Sequence, residues 1–326
     1  MKKYILGLMA TSLLMVSCDD ETATQPVSAI SVDKNTVEVN ESMTVHFIGD
    51  ADNVVVYTGD TDHDYELRKE SNTGLVVNKG VITYSYTTPG IYKVVCVATN
   101  HADAGKSLLT DTCSVYVKVI DDITEIERLS APQVLYDEVF ADQVNDTDWL
   151  MALPHKIKFK NSMPNVSMQQ KLKFYIPSVT TTVTVDGEPF NSNAKYDLAS
   201  PLDIVTHSHE GTTRSYKLYT LYYGEFKTFT LAGVTADNKK IDRTEYDYSY
   251  SEINIELPAG TDLTSLVPEY TLYADNEKPY IGDAQQTSGV TAVDFSAPVV
   301  YRFVTTDATN PAVSVESTCK VTVTLK

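Results

Sequence analysis

Tryptophan is nearly absent from this chain: one residue in 326, against 21 tyrosines. Cysteine is sparse as well. Four residues in a chain this long exclude a small fold held by a dense disulfide framework. Lysine and arginine together number 26 against 44 acidic residues, leaving a formal charge of −18. So acidic a protein is poorly matched to a nucleic-acid backbone or an anionic lipid surface. Beyond the first 16 residues no apolar run approaches membrane-spanning length. Helical periodicity is scarce throughout. Enzyme signatures are missing too: there is no G-x-S-x-G elbow, no H-E-x-x-H, no phosphate loop and no dinucleotide fingerprint. The expectation is a protein that is not an enzyme and needs no cofactor. A glycosidase would need two carboxylates facing each other across a cleft, and that arrangement leaves no linear motif.

What is present begins at the N-terminus, MKKYILGLMATSLLMVSCDDE. Lys2 and Lys3 precede a short apolar run from Tyr4 to Val16, the pattern of a secretory signal. The run ends in Met15-Val16-Ser17-Cys18, which resembles a bacterial lipoprotein box, with residues 1–17 as the signal peptide and Cys18 as the lipidated residue. Several acyl chains on one cysteine give stable anchoring, because each buried CH2 contributes about 0.8 kcal/mol. Loss of Lys2 and Lys3 would take the charge from −18 to −20. Asp19-Asp20-Glu21 resembles the surface-export signal of Bacteroidetes lipoproteins, and 18–26 reads as a polar, flexible tether.

The remainder is a succession of short Val-, Ile-, Thr-, Tyr- and Phe-rich runs bounded by Gly, Pro, Asn and Asp. Ile30 to Val39, Val54 to Tyr57, Gly80 to Tyr86, Tyr92 to Ala98 and Ser114 to Ile120 are examples. This spacing predicts an all-β protein of immunoglobulin-like β-sandwich domains. Three are expected in tandem, over 27–122, 123–223 and 224–326. In the first, "FIGDADNVVVYTGDTDHDYE" and "YSYTTPGIYKVVCVATN" resemble the PKD-type domains of Bacteroidetes surface lipoproteins. A hairpin there sets Cys96 opposite Cys113. A cross-strand disulfide and two small buried thiols both remain open, although directly opposed strand cysteines strain a disulfide.

The other two domains read as an internal repeat. "WLMALP" from Trp149 answers "INIELP" from Ile253, which makes Trp149 a core residue; Asp197-Leu198 answers Asp294-Phe295, and Pro201 answers Pro298. The second copy, with "LPAGTDLTSLVPEYTL", "QQTSGVTAVDFSAPVVYRF" and "CKVTVTL", resembles a domain of unknown function repeated in Bacteroidetes polysaccharide-use lipoproteins. Leu263, Leu266 and Val267 are expected to fill its core. The resemblance implies a surface-exposed, outer-membrane lipoprotein. Its partners would be a polysaccharide, the membrane through the lipid anchor, and outer-membrane transport proteins. The implied role is a glycan-binding accessory. A structural spacer or adhesin-like module without glycan binding is the alternative.

Three stretches invite a site. In "GDTDHDYE", Asp60, Asp62 and Asp64 supply hard oxygen ligands of the kind Ca2+ takes, and an extended chain would put them on one face. The EF-hand glycine and twelfth-position glutamate are missing, so a solvated acidic turn is the plainer reading. His207 and His209 are spaced for one face of a strand, but a third zinc ligand is not identifiable, and exposed turn residues compete. In "EYDYSYSE", Tyr246, Tyr248 and Tyr250 share one parity, opposite to Ile253, Ile255 and Leu257. On a continuous strand they would form an outward aromatic row, a platform on which the C–H face of a sugar ring can stack. Ordinary cross-strand pairing is the competing role.

Overall fold

The computed structural model describes residues 24–102, 107–134, 137–157, 162–236, 247–326 and, by backbone alone, 241–243. The described residues are all-β and contain no helix; none therefore is long and apolar enough to cross a membrane. The chain divides into two compact units, the first ending at Ile120 and the second beginning at Asp121.

The first unit pairs two sheets. Strands Ile30–Val32, Ser42–Phe47 and Val81–Ser85 form one. Strands Thr36–Glu38, Ser107–Ile120, Gly90–Ala102, Asn53–Tyr57 and Leu75–Val76 form the other, in that order. Alternate residues turn inward, Met43 and Val45 from the first sheet and Val56, Val94, Cys96, Ala98 and Val117 from the second, all essentially inaccessible. Tyr86 is buried with them, and its hydroxyl donates to the Thr58 carbonyl at 2.8 Å, so the ring is buried without stranding its polar end. The long hairpin of Gly90–Ala102 and Ser107–Ile120 sets Cys96 directly across from Cys113, and both are free thiols. Burial, with Cys113 beside it, pushes the Cys96 thiol up to about 12.

The second unit holds two sandwiches built to one plan. In the first, a three-stranded sheet (Asp137–Phe140, Arg128–Val134, Lys173–Tyr175) covers a six-stranded one. The six are Asp142–Gln143, Asp148–Leu153, Thr213–Tyr222, Leu202–His207, Thr182–Val185 and Glu188–Pro189. In the second, Val234–Ala236, Phe226–Leu231 and Glu269–Leu272 cover Ile241–Arg243, Tyr250–Leu257, Ser314–Leu325, Val299–Thr306, Glu277–Ile281 and Ala284–Gln285. In each six-stranded sheet the second and third strands are parallel, Asp148–Leu153 with Thr213–Tyr222 and Tyr250–Leu257 with Ser314–Leu325. Two-residue turns close a hairpin in the six-stranded sheet of the first sandwich, Asp186-Gly187, and one in the three-stranded sheet of the second, Ala232-Gly233, all four residues at positive φ.

One core packs Leu129, Trp149, Met151, Ile204 and Leu218; the other packs Phe226, Phe229, Ile255, Phe295, Tyr301 and Phe303. Each such side chain contributes about 1.5–3 kcal/mol on burial. Leu263 and Leu266 pack against the second core, but Val267 does not. It is 42% exposed, because the chain at Leu266 bridges to Val293 and the next side chain then points to solvent.

A third apolar cluster joins the two sandwiches of this unit. Leu150, Ala152, Tyr219 and Leu221 come from the outer face of the parallel pair in the first, and Val313 and Val315 from the second. Beside it His155 lies between two tyrosine rings, Tyr222 at 4.2 Å and Tyr273 at 4.1 Å between centroids, both stacked. Its Nε2 is 2.6 Å from the Glu277 carboxylate, which is 1% exposed. At the start of the unit, Asp121 accepts hydrogen bonds from the hydroxyls of Ser178 (2.5 Å) and Thr180 (2.6 Å), and Asp122 from Ser208 (2.7 Å).

Candidate functional site

The outward face of the sheet Asp137–Phe140, Arg128–Val134 and Lys173–Tyr175 carries an aromatic and charged platform. Antiparallel registers place Phe140 beside Ser130, Ser130 beside Lys173, and Arg128 beside Tyr175. Inward residues of the same strands, Leu129, Ala131 and Val139, are buried, so parity sends Arg128, Phe140, Lys173 and Tyr175 the other way. The rings of Phe140 and Tyr175 lie 6.3 Å apart at 35°, and Phe140 is 43% exposed. The Arg128 guanidinium braces both, 5.0 Å from one centroid and 4.7 Å from the other, and Lys173 Nζ lies 4.2 Å from the Tyr175 centroid.

Glu138 fixes this arrangement. One carboxylate oxygen accepts from Ser130 (2.7 Å) and from the Tyr175 hydroxyl (2.8 Å), with Lys173 Nζ at 3.9 Å. These hydrogen bonds, Ser130 first, hold the carboxyl below the usual glutamate value. The Tyr175 ring is thereby held at its phenolic end, with Arg128 and Lys173 over the ring. Flat aromatic surface with neighbouring fixed donors and acceptors can stack a sugar ring and bond its hydroxyls.

The three tyrosines singled out in the sequence do not form one strand row. The strand begins only at Tyr250; Tyr248 lies in the turn before it, and Tyr246 falls outside the described residues. Tyr250 does have the parity opposite to Ile253, Ile255 and Leu257, and its hydroxyl donates to Glu252. That contact pushes its pKa up to about 12. Tyr248 is half-buried against the core of the first sandwich of the unit and donates to Asp137, at the start of the strand that carries Phe140. Burial and then the Asp137 carboxylate raise its pKa. Phe140, Tyr175 and Arg128 escaped sequence reading because they come from separate strands. Their only signal is local alternation, and cross-strand neighbours are set by register.

The acidic stretch of the first unit is a turn, not an extended segment, so alternation does not bring its acids to one face. Asp60 accepts from Thr58 (2.5 Å) and Tyr84 (2.6 Å). Asp62 sits at φ 71°. Asp64 accepts from the Glu66 amide at 2.7 Å. A cavity of about 620 Å³ opens beside them, lined also by Asn72, Thr88 and Tyr92. Among the described residues no three His, Cys, Asp or Glu side chains are grouped to hold a metal ion. His207 ends its strand 3.3 Å from the Thr184 hydroxyl, whereas His209 lies in the exposed turn beyond, 3.3 Å from Glu210.

Residues 228–322, most of the second sandwich of this unit, match a protein family described as "SGBP, N-terminal". No curated protein matches the chain. Solved structures similar to it include carbohydrate-binding modules of the β-sandwich superfamily, at 9% identity and a TM-score of 0.23 over 60% of this chain and 84% of that one. Cadherin domains 3–6 of protocadherin gamma B2 give 9% identity and 0.20 over 92% and 76%. Three N-terminal domains of the outer capsid protein Hoc of bacteriophage RB49 give 9% and 0.23 over 91% and 99%. Likenesses this distant bear on neither ligand nor partner.

Proposed function

We propose that this chain is a glycan-binding accessory protein of a polysaccharide-use system. It would be held at the outer membrane by lipid on Cys18 and exposed at the cell surface. The observation that carries this reading is the match of residues 228–322 to a family of glycan-binding proteins. The platform of Phe140 and Tyr175, braced by Arg128 and bordered by Tyr248, supports it as the place where a saccharide stacks. Tyr246 and Tyr250 are proposed as further contacts on the neighbouring segment. The first unit is proposed as the PKD-like domain that its sequence resembles, between the anchor and the paired sandwiches.

Affinity electrophoresis of the chain without its signal, through gels containing single polysaccharides, tests this. Retardation by at least one polysaccharide is expected. Phe140→Ala with Tyr175→Ala should abolish it, and Tyr246→Ala, Tyr248→Ala and Tyr250→Ala together should weaken it. No retardation by any polysaccharide overturns the function. Retardation unaffected by both sets of substitutions overturns only the platform. For the anchor, Cys18→Ala should leave the protein free of the membrane fraction.

A second reading, a spacer or protein-interaction module, draws on the apolar cluster of Leu150, Leu221 and Val313, which binds two sandwiches into one body. A compact pair of domains suits display of a partner as well as capture of a glycan.

A further inference from the structure

Between the two sandwiches of the second unit is a cleft of about 460 Å³ whose lining includes His155, Lys156, Asn165, Tyr222, Lys227 and Tyr273. Its composition runs against the net charge of the chain. With 44 acidic residues to 26 basic ones, a surface cleft should include carboxylates; the described residues lining this one include two lysines and a histidine and no Asp or Glu. The cavity beside Asp60, Asp62 and Asp64 shows the contrary pattern.

The cleft is built rather than incidental. Tyr222, His155 and Tyr273 stack as three parallel rings. Tyr222 is pinned through its hydroxyl to the Val166 carbonyl at 2.9 Å. His155 is pinned to Glu277, which also accepts from the Tyr273 amide at 3.3 Å. Of the two buried carboxylates nearby, Glu277 is thus engaged by the framework, and neither it nor Glu225 lines the cleft. Lys156 Nζ and Lys227 Nζ stand 5.7 Å and 5.8 Å from the Tyr273 centroid. Lys156 is positioned by its backbone bridge to Asn165, and Lys227 by the strand Phe226–Leu231. The result is an aromatic ring flanked by two ammonium groups, with an amide side chain at the rim.

We infer that this cleft is a subsite for an anionic sugar, a residue carrying a carboxylate or a sulfate, whose ring stacks at Tyr273 while Lys156 and Lys227 hold its charge. This rests on the glycan-binding reading and goes beyond it by naming a ligand class and a second place of contact. The chain's net charge of −18 repels polyanions at long range, so selection for such a sugar needs a local cationic pair of this kind. The net charge also makes the interaction sensitive to ionic strength.

The test is calorimetric titration of the chain, without its signal, against three probes: tetragalacturonate, a κ-carrageenan tetrasaccharide that carries sulfate but no carboxylate, and neutral cellotetraose. At least one anionic probe should bind, and more weakly as salt rises from 0.05 M to 0.5 M. Lys156→Gln with Lys227→Gln, both at partly or fully exposed positions, should weaken it by about tenfold or more and leave the melting temperature unchanged. The carboxylate and sulfate probes decide between the two anion chemistries. Anionic binding that the double substitution does not weaken overturns the subsite. Binding of polysaccharides in gels, but of neither anionic probe in solution, overturns the subsite and leaves the broader function standing. Failure of every glycan in both assays overturns both.

Discussion

Removing the Glu277 carboxylate should be felt in a sandwich that does not contain it. Glu277 belongs to the second sandwich of its unit, yet its main partner, His155 at 2.6 Å, belongs to the first. Both are buried, at 1% and 9% exposure. Its other oxygen accepts from the amides of Tyr273 and Glu225 at 3.3 and 3.5 Å, both long and individually weak. Breaking a buried hydrogen-bonded pair by removing one member costs about 3–5 kcal/mol, and Glu277→Ala is expected in that range. Glu277→Gln keeps an oxygen acceptor and should cost only about 1–2 kcal/mol. His155→Phe keeps a ring between Tyr222 and Tyr273 but leaves the carboxylate without its Nε2 partner. Combined with Glu277→Gln it should cost less than the two separate losses added, by about 1–3 kcal/mol. The assay is urea unfolding followed by tryptophan fluorescence. Trp149 is the only tryptophan, is 3% exposed, and sits in the core of the first sandwich, so its signal reports the half that does not contain Glu277. A Trp149 transition whose midpoint does not move in Glu277→Ala would refute the coupling, as would strictly additive costs in the double variant.

Ala232 occupies the first turn position between Leu231 and Val234 at φ 47°, a conformation that costs a side-chain-bearing residue about 1–2 kcal/mol. Ala232→Asn should therefore stabilise by about 0.5–1 kcal/mol, and a lowered melting temperature would contradict the turn assignment. In the reduced native protein a thiol reagent at pH 7.5 should label Cys113 and spare Cys96 and Cys319, which are buried; rapid labelling of Cys96, whose thiol is pushed up to about 12, would count against the packing of that hairpin. For calcium, the Thr58 and Tyr84 hydroxyls already engage both oxygens of Asp60, so millimolar Ca2+ should leave the melting temperature unchanged; a rise of several degrees, reversed by chelator, would restore the acidic turn as a site.

Strand identity was legible because most strands here bury one face only. Tyr250–Leu257 alternates Ile253, Ile255 and Leu257 inward with Asn254 and Glu256 outward, and the sequence shows that period directly. The platform was not legible for the complementary reason. Phe140, Arg128 and Tyr175 meet through register between three strands, and a sequence carries periodicity within a strand but not the offset between strands. The acidic turn misled at a more local level. Alternating acids imply one face only if the chain is extended, and Asp62 at φ 71° breaks the extension in the middle of the row.

The junction between the paired sandwiches stands between these cases. "WLMALP" and "INIELP" hold equivalent places, yet the first is apolar at consecutive positions and the second alternates. The difference is physical. Trp149, Met151 and Leu153 enter their own core, while Leu150 and Ala152 enter the cluster completed by Val313 and Val315. Asn254 and Glu256, at the answering outward positions, are exposed. A strand covered on both faces loses its alternation. Where two copies of one plan differ in this way, the copy that has lost its period marks the covered face. Charge substitution should separate the two: Leu150→Asp strands a carboxylate in the junction, whereas Glu256→Leu adds an apolar group to solvent. The first is expected to lower the Trp149 unfolding midpoint sharply and the second to leave it within experimental error. Equal responses would mean that the apolar run in "WLMALP" does not report the junction.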